Sequence, residues 1–272
     1  MDLGLAKQTA IIVGGASGIG LATAKQFLEE GAIVEIWDRN QNVADVARAV
    51  ATDMNIDSER MRGRQVDITV EGECVEATTL AMREGGSIQH VVHAAAIGSG
   101  KFGFPFSNLQ PRDWPRVLEV NIMGMVNIVH ALAPALKQSG QGSIVFLGSV
   151  AGQIGSQTDP PYSASKAANI NFMQCVAKDL APYSVRANIV NPGMVQTPLN
   201  RGVWQAWHDQ QPLDQRKSYE EWAGDKVKHV IPLKRWQTPE DIAAMIVFLC
   251  SCRANSITGQ TINVDGGFVM HW

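Results

Sequence analysis

The chain has 272 residues, 45% of them hydrophobic and 18% charged, with a net charge of −3. That is the size and composition of one large domain with a substantial core, and the charge offers no field to hold nucleic acid or an anionic membrane surface. Cys74, Cys175, Cys250 and Cys252 lack C-x-x-C and zinc-ligand spacing, and no basic segment followed by a long apolar run opens the chain; a cytoplasmic protein with reduced thiols, no metal and no membrane span is expected.

Residues 9–13 are an unbroken apolar run ended by glycines, the pattern of a fully buried parallel strand. Gly14-x-x-x-Gly18-Ile19-Gly20 follows, with Ser17 inside the turn, and residues 21–30 have helical periodicity closed by Gly31. Strand, glycine turn and helix in that order present free N–H groups and a positive dipole end to an anion such as a pyrophosphate. A second strand, 33–37, ends at Asp38-Arg39. A carboxylate there can accept bonds from both hydroxyls of an adenine ribose and repel a 2′-phosphate, which favours NAD over NADP. Arg39 works in the opposite direction, and the competing role for Asp38 is a cap on a helix from Gln41 onward.

Residues 65–68, with Asp67 and Ile68, read as a short third strand reaching the adenine end, followed by a helix over 70–82. The fourth strand, 88–96, ends in small residues that let another surface approach. His90 and His93 on it belong to no metal-like cluster. Residues 101–112 form a loop carrying Phe102, Phe104 and Phe106; 114–136 form a long helical region interrupted by Pro134, with Asn121 amid apolar neighbours. The fifth strand, 142–148, ends at Ser149. A helix to about residue 180 then carries Tyr162 and Lys166 one turn apart on one face, where the ammonium is expected to lower the phenol pKa. The sixth strand, 184–190, closes at Asn191-Pro192-Gly193. Residues of about 199–235 leave the α/β rhythm and hold Trp204, Trp207, Tyr219 and Trp222: either a lid over a site, or a helix pair packed on the core or on a partner chain. Thr238 caps a helix to Cys252, and 261–267 give a seventh strand and a turn. The alternation predicts one doubly wound, mainly parallel α/β sheet of about seven strands with helices on both faces, and a single domain over 1–272.

These motifs together resemble the short-chain dehydrogenase/reductase family, a Rossmann-like fold, over nearly the whole chain. Gly14-x-x-x-Gly18-Ile19-Gly20 matches its cofactor loop, Asp67-Ile68 its adenine pocket and Asn121 its central-helix asparagine. Ser149, Tyr162 and Lys166 match its catalytic spacing, and Pro192-Gly193-x-Val195-x-Thr197 the segment that holds the nicotinamide carboxamide. Two departures stand out: Val13 replaces a threonine, and His93-Ala94-Ala95-Ala96 replaces Asn-Asn-Ala-Gly, so the bracing those asparagines give must come from elsewhere. Ala94 and Ala95 then stand among the cofactor-side residues.

The resemblance implies hydride transfer between NAD and a carbinol or carbonyl carbon. Tyr162 exchanges the proton, Ser149 holds the oxygen, Lys166 bonds the nicotinamide ribose, and Asn121 fixes a proton-relaying water. A homotetramer is implied, through helices around Asn121 and after Tyr162. A dinucleotide-sensing protein without turnover is the competing class; the four catalytic positions kept here favour an enzyme. A sugar or polyol is the first substrate expectation, with Gln153 and Trp204 beside Ser149 and Tyr162. The three phenylalanines favour instead an apolar cyclic alcohol or steroid-like ketone; a 3-oxoacyl thioester ranks lower.

Overall fold

The computed structural model describes residues 2–156 and 158–270. Seven parallel strands form one sheet in the order β3-β2-β1-β4-β5-β6-β7. They are β1 Thr9–Val13, β2 Ile33–Asp38, β3 Met61–Gln65, β4 His90–His93, β5 Gly142–Leu147, β6 Val185–Pro192 and β7 Thr261–Val264. Helices α1 Gly18–Glu29, α2 Val43–Asp53, α3 Glu71–Gly85, α4 Pro115–Leu118, α5 Gly124–Ser139, α6 Pro160–Leu180, α7 Pro198–His208, α8 Tyr219–Val230 and α9 Pro239–Cys250 complete the chain.

Strand side chains alternate between the sheet's two faces, and both faces are buried. Ile11, Val13, Val91, Ile144 and Phe146 join the core beneath α3, α5 and α6. Ala10, Ile12, Val92 and Val145 join the core beneath α1, α2 and α9. Burial of each such side chain stabilises the fold by roughly 1.5–3 kcal/mol, which explains why the strands are continuous apolar runs. Residues 111–139 are apolar and long enough to cross a membrane by composition alone. Their apolar side is spent on the core, through Val117, Val120, Met125, Ile128, Leu132 and Leu136.

Several boundaries differ from the sequence reading. The third strand lies at 61–65, not 65–68. Its Arg-Gly-Arg pattern reads as loop until the partners are known: Arg64 pairs with Glu35 at 2.6 Å and Glu84 at 2.9 Å. Asp67 and Ile68 therefore follow the strand rather than belong to it. Pro134 does not interrupt α5; the lost backbone bond is offset by core packing of the flanking Leu132, Ala135 and Leu136. The irregularity falls instead at a π-helical turn, Glu119–Met123, which contains Asn121. The tryptophan-rich stretch is a helix pair, α7 and α8, with its own small cluster of Tyr219, Trp222 and Ala223 against Trp204, Trp207 and Trp236.

The strand order reverses between β1 and β4, and there the carboxyl ends diverge to leave a crevice. Both strands deliver their following residues to it.

Candidate active site

A cavity of about 770 Å³ fills this crevice and runs from the tip of β2 to α8. At one end is the glycine turn. Gly14, at φ +78°, lies so close to the β4 exit that a Cβ would stand 2.6 Å from the Ala95 nitrogen. A Cβ on Gly20 would meet the Gly14 oxygen at 2.1 Å, so the turn folds only with glycine at both positions. Gly18 differs: at φ +54° its added Cβ would have nothing nearer than 3.7 Å, leaving room for a phosphate against the backbone. Ser17 makes no side-chain cap bond to α1, and the first turn of α1 holds no acid. The open N–H groups and the dipole fit the pyrophosphate of a dinucleotide.

Asp38 lines the cavity with Arg39. Its carboxylate is fixed, accepting from the Ala16 nitrogen at 3.1 Å and the Asn40 nitrogen at 3.0 Å. It does not cap α2, which begins at Val43 after Asn42. Asp67 and Ile68 line the cavity too; the Asp67 carboxylate accepts from the Thr69 nitrogen and hydroxyl, which holds its pKa below the usual range. Ala94, Ala95, Pro192, Gly193, Val195 and Thr197 line the same cavity. Thr197 also caps α7, accepting from the Asn200 nitrogen.

Tyr162 and Lys166 project from the first turns of α6, where Pro160 and Pro161 occupy positions that need no backbone donor. Tyr162 and Ser149 line the same cavity. Lys166 is 1% exposed; its Nζ donates to the Leu147 oxygen at 2.6 Å and lies 5.5 Å from the Tyr162 ring centroid. The expected lowering of the phenol pKa by this lysine is not what the structure gives. Burial pushes Tyr162 up to about 12, with the neighbouring Ser149 side chain acting the other way, and burial alone pulls Lys166 down to about 7. Desolvation of each group outweighs their mutual charge effect.

Asn121 is fully buried and does not line the cavity. Its side chain accepts from the Ile97 nitrogen and donates to the Ile97 oxygen, both at 2.9 Å, and donates to the Ser165 hydroxyl at 3.0 Å. This clamp supplies the bracing after β4 that His93 and the three alanines do not. His93 itself is buried with Nε2 unpartnered, and burial pushes its pKa down to about 3.

A family model described as Enoyl-(Acyl carrier protein) reductase matches residues 14–269. A short-chain type dehydrogenase/reductase of Sinorhizobium fredii is 32% identical, covering 97% of this chain and 98% of its own. The chain belongs to the short-chain dehydrogenase/reductase family. Another member, cis-4-hydroxycyclohexanecarboxylate dehydrogenase of Sinomonas cyclohexanicum, is 31% identical over 98% of this chain and 99% of its own. Among solved structures, L-sorbose reductase from Gluconobacter frateurii, complexed with NADPH and L-sorbose, superposes with a TM-score of 0.87 at 26% identity, covering all of both chains.

Within this oxidoreductase fold the cofactor-side and proton-transfer positions read from the sequence converge on one cavity, Asn121 standing just behind it. The two substrate positions do not converge. Gln153 turns away and accepts from Asn263 Nδ2 at 2.7 Å. Trp204 sits in the α7–α8 cluster, its Nε1 donating to the Lys217 oxygen at 3.1 Å. Phe104 and Phe106 line a separate surface depression and are 54% and 81% exposed. The cavity instead receives Asp159, Met194, Val203, Trp222, Lys226 and Phe268. The helical 4-residue spacing of Trp222 and Lys226 was the signal available for that wall.

Proposed function

We propose that the chain is an NAD-preferring oxidoreductase interconverting a secondary alcohol and a ketone, with a sugar or polyol as its first substrate class. The observation that carries this reading is the meeting of Ser149, Tyr162 and Lys166, the last two one turn apart on α6, in a cavity shared with a dinucleotide cradle. Bound NAD supplies the hydride acceptor. Ser149 would hold the substrate oxygen by its hydroxyl, and Tyr162 would exchange the proton at that oxygen. Lys166, whose ammonium is charged over part of its population near neutral pH, would favour charge on Tyr162 and bond the nicotinamide ribose. Asn121 would act by keeping the backbone at Ile97 in place beside these groups.

The choice of NAD rests on Asp38. The Gluconobacter reductase is complexed with NADPH, so family membership leaves the choice to local chemistry, which here is a carboxylate fixed by two backbone donors. The α7–α8 segment is read as the lid of the substrate end, since Val203, Trp222, Lys226 and Val230 form its wall. A sugar or polyol is supported by the Trp222 face, the polar Thr158, Asp159 and Asn200 on the wall, and the L-sorbose bound by the Gluconobacter reductase. A cyclic alcohol is the second reading, supported by Met194, Val203, Val230 and Phe268 and by the name of the Sinomonas relative. A homotetramer in the cytoplasm accompanies both readings; the four free cysteines suit a reducing compartment.

The test is a panel of polyols, sugars and cyclic alcohols assayed with NAD and with NADP. NADH formation with at least one is expected. Tight dinucleotide binding without turnover of any would point instead to a dinucleotide-sensing protein.

A further inference from the structure

We infer that the substrate carries a carboxylate and that Lys226 receives it at the lid end of the cavity. The inference rests on the dehydrogenase reading above and deepens it from a secondary alcohol to a hydroxy acid.

Lys226 lies on α8 four residues after Trp222, and both line the cavity that holds Tyr162 and Ser149. Its Nζ stands 3.9 Å from the Trp222 ring centroid. Among the described residues no carboxylate pairs with it and no oxygen accepts from it, whereas Lys217 pairs with Asp225 and Arg235 with Asp241. The acids nearest in sequence are spent: Glu221 closes the capping box of α8 with Ser218. Across the cavity, Asp159 accepts from the Ser99 nitrogen at 2.8 Å through Oδ2, while its Oδ1 is buried without a partner.

The other cations on the cavity wall have assignments. Arg116 pairs with Glu119, Lys166 donates to Leu147, and Arg39 stands beside Asp38 at the adenine end. Lys226 is the cation left for the substrate end. Burial pulls its pKa down to about 8, with no opposing charge to hold it up. A partly buried ammonium without a counter-ion is costly, and a leucine or methionine would cover Trp222 equally well against a neutral alcohol. An anion on the substrate removes that cost and explains the lysine.

The anion is a carboxylate rather than a phosphate. One lysine offers one positive charge; Trp222 and Val230 lie one turn either side of it on α8, and Val203 lines the same cavity. A phosphate dianion there would keep an uncompensated charge in an apolar setting. A carboxylate is neutralised, and the Trp222 face and the two valines take the hydrocarbon body.

The experiment measures calorimetric binding of unreactive probes to the enzyme–NADH complex, so it needs no turnover. Cyclohexanecarboxylate, its neutral carboxamide and cyclohexyl phosphate are compared on wild type, Lys226→Met and Lys226→Arg. The carboxylate is expected to bind at least tenfold tighter than the carboxamide and than the phosphate, with Lys226→Met losing the discrimination and Lys226→Arg keeping most of it. Equal binding of carboxylate and carboxamide, no binding of the carboxylate, preference for the phosphate, or discrimination surviving in Lys226→Met would each overturn the inference. Carboxylate-selective binding in a protein that turns over no alcohol would instead count against the dehydrogenase reading alone.

Discussion

Replacing Asp38 tests the cofactor assignment, because the structure separates its charge from its bracing role. The carboxylate accepts from the Ala16 and Asn40 nitrogens, so it holds the glycine turn as well as serving the ribose in the proposed reading. Asp38→Asn keeps an oxygen for one of these bonds and removes the charge; Asp38→Ala removes both. A hydrogen bond from a ribose hydroxyl to a charged group is worth about 1.5–3 kcal/mol, so NAD should lose roughly tenfold to a hundredfold in kcat/KM in either variant. The gain for NADP comes from relieved repulsion. Two unit charges about 4 Å apart near a protein surface interact by about 4 kcal/mol, and screening by water and salt reduces this, so a tenfold gain or more is expected for Asp38→Asn. Asp38→Ala should recover less, because the Ala16 N–H then loses its partner and the turn loosens. The assay is steady-state kinetics with both cofactors on one alcohol, paired with direct binding of each dinucleotide. Wild-type protein that uses NADP as readily as NAD, or an asparagine variant with an unchanged cofactor ratio, would show that Asp38 only braces the turn.

Tyr162→Phe should lower turnover by about 10² to 10⁴ while NAD affinity, measured separately, stays close to wild type; more than a tenth of the activity remaining would remove Tyr162 from proton transfer. Stability should fall on acidification from pH 6.5, because His90 and His93 are buried and held at about 3 in the fold. Below 6.5 the unfolded chain binds more protons, so each histidine contributes a loss of about 1.4 kcal/mol per pH unit that is absent above 6.5. Lys166, depressed to about 7, adds no slope in that window, since below 7 it is protonated in both states. Urea melts at pH 6.5, 5.5 and 4.5 should show this, and His93→Asn should roughly halve the slope; a flat profile would mean the imidazoles accept protons in the fold. Sedimentation at micromolar concentration should give a tetramer, and a monomer alone would refute the assembly reading.

The parts of the fold legible in the sequence are those fixed by short-range pattern. Residues 9–13 form β1 as read because both sheet faces need apolar side chains there, and Tyr162 and Lys166 share a face because α-helical spacing puts them on it. What escaped depends on partners far along the chain. The arginines of β3 look like loop residues until Glu35 and Glu84 arrive to pair with them. Pro134 looks like a helix end until the core on either side outweighs its missing donor. The pKa of Tyr162 depends on how dry its surroundings are, which four-residue spacing does not reveal. Trp204 and Trp222 are the same residue type on adjacent helices, and only the packing of α7 on α8 decides which one meets the cavity. That packing is pinned by the Tyr219 hydroxyl donating to Asn200 Oδ1 and by Trp204 Nε1 donating to the Lys217 oxygen.

This division has a physical basis in how the core is partitioned. The glycine turn, Asp38, Ser149 and Lys166 are anchored on strands and helices that share the two large clusters flanking the sheet, so moving any of them disturbs packing worth many kcal/mol. The α7–α8 pair belongs to a third cluster, small and aromatic, built from Tyr219, Trp222 and Ala223 with their neighbours. Substitution within that cluster can re-aim Trp222 or Lys226 without touching β1, β4 or α6. On the reading proposed above, chemistry is thereby tied to the fold, while substrate choice would rest on a helix pair outside the two large clusters. It follows that exchanging α7–α8 for the corresponding segment of another member should move substrate preference and leave the Asp38 cofactor ratio in place. A swap that shifted both would show that the third cluster is coupled to the sheet after all.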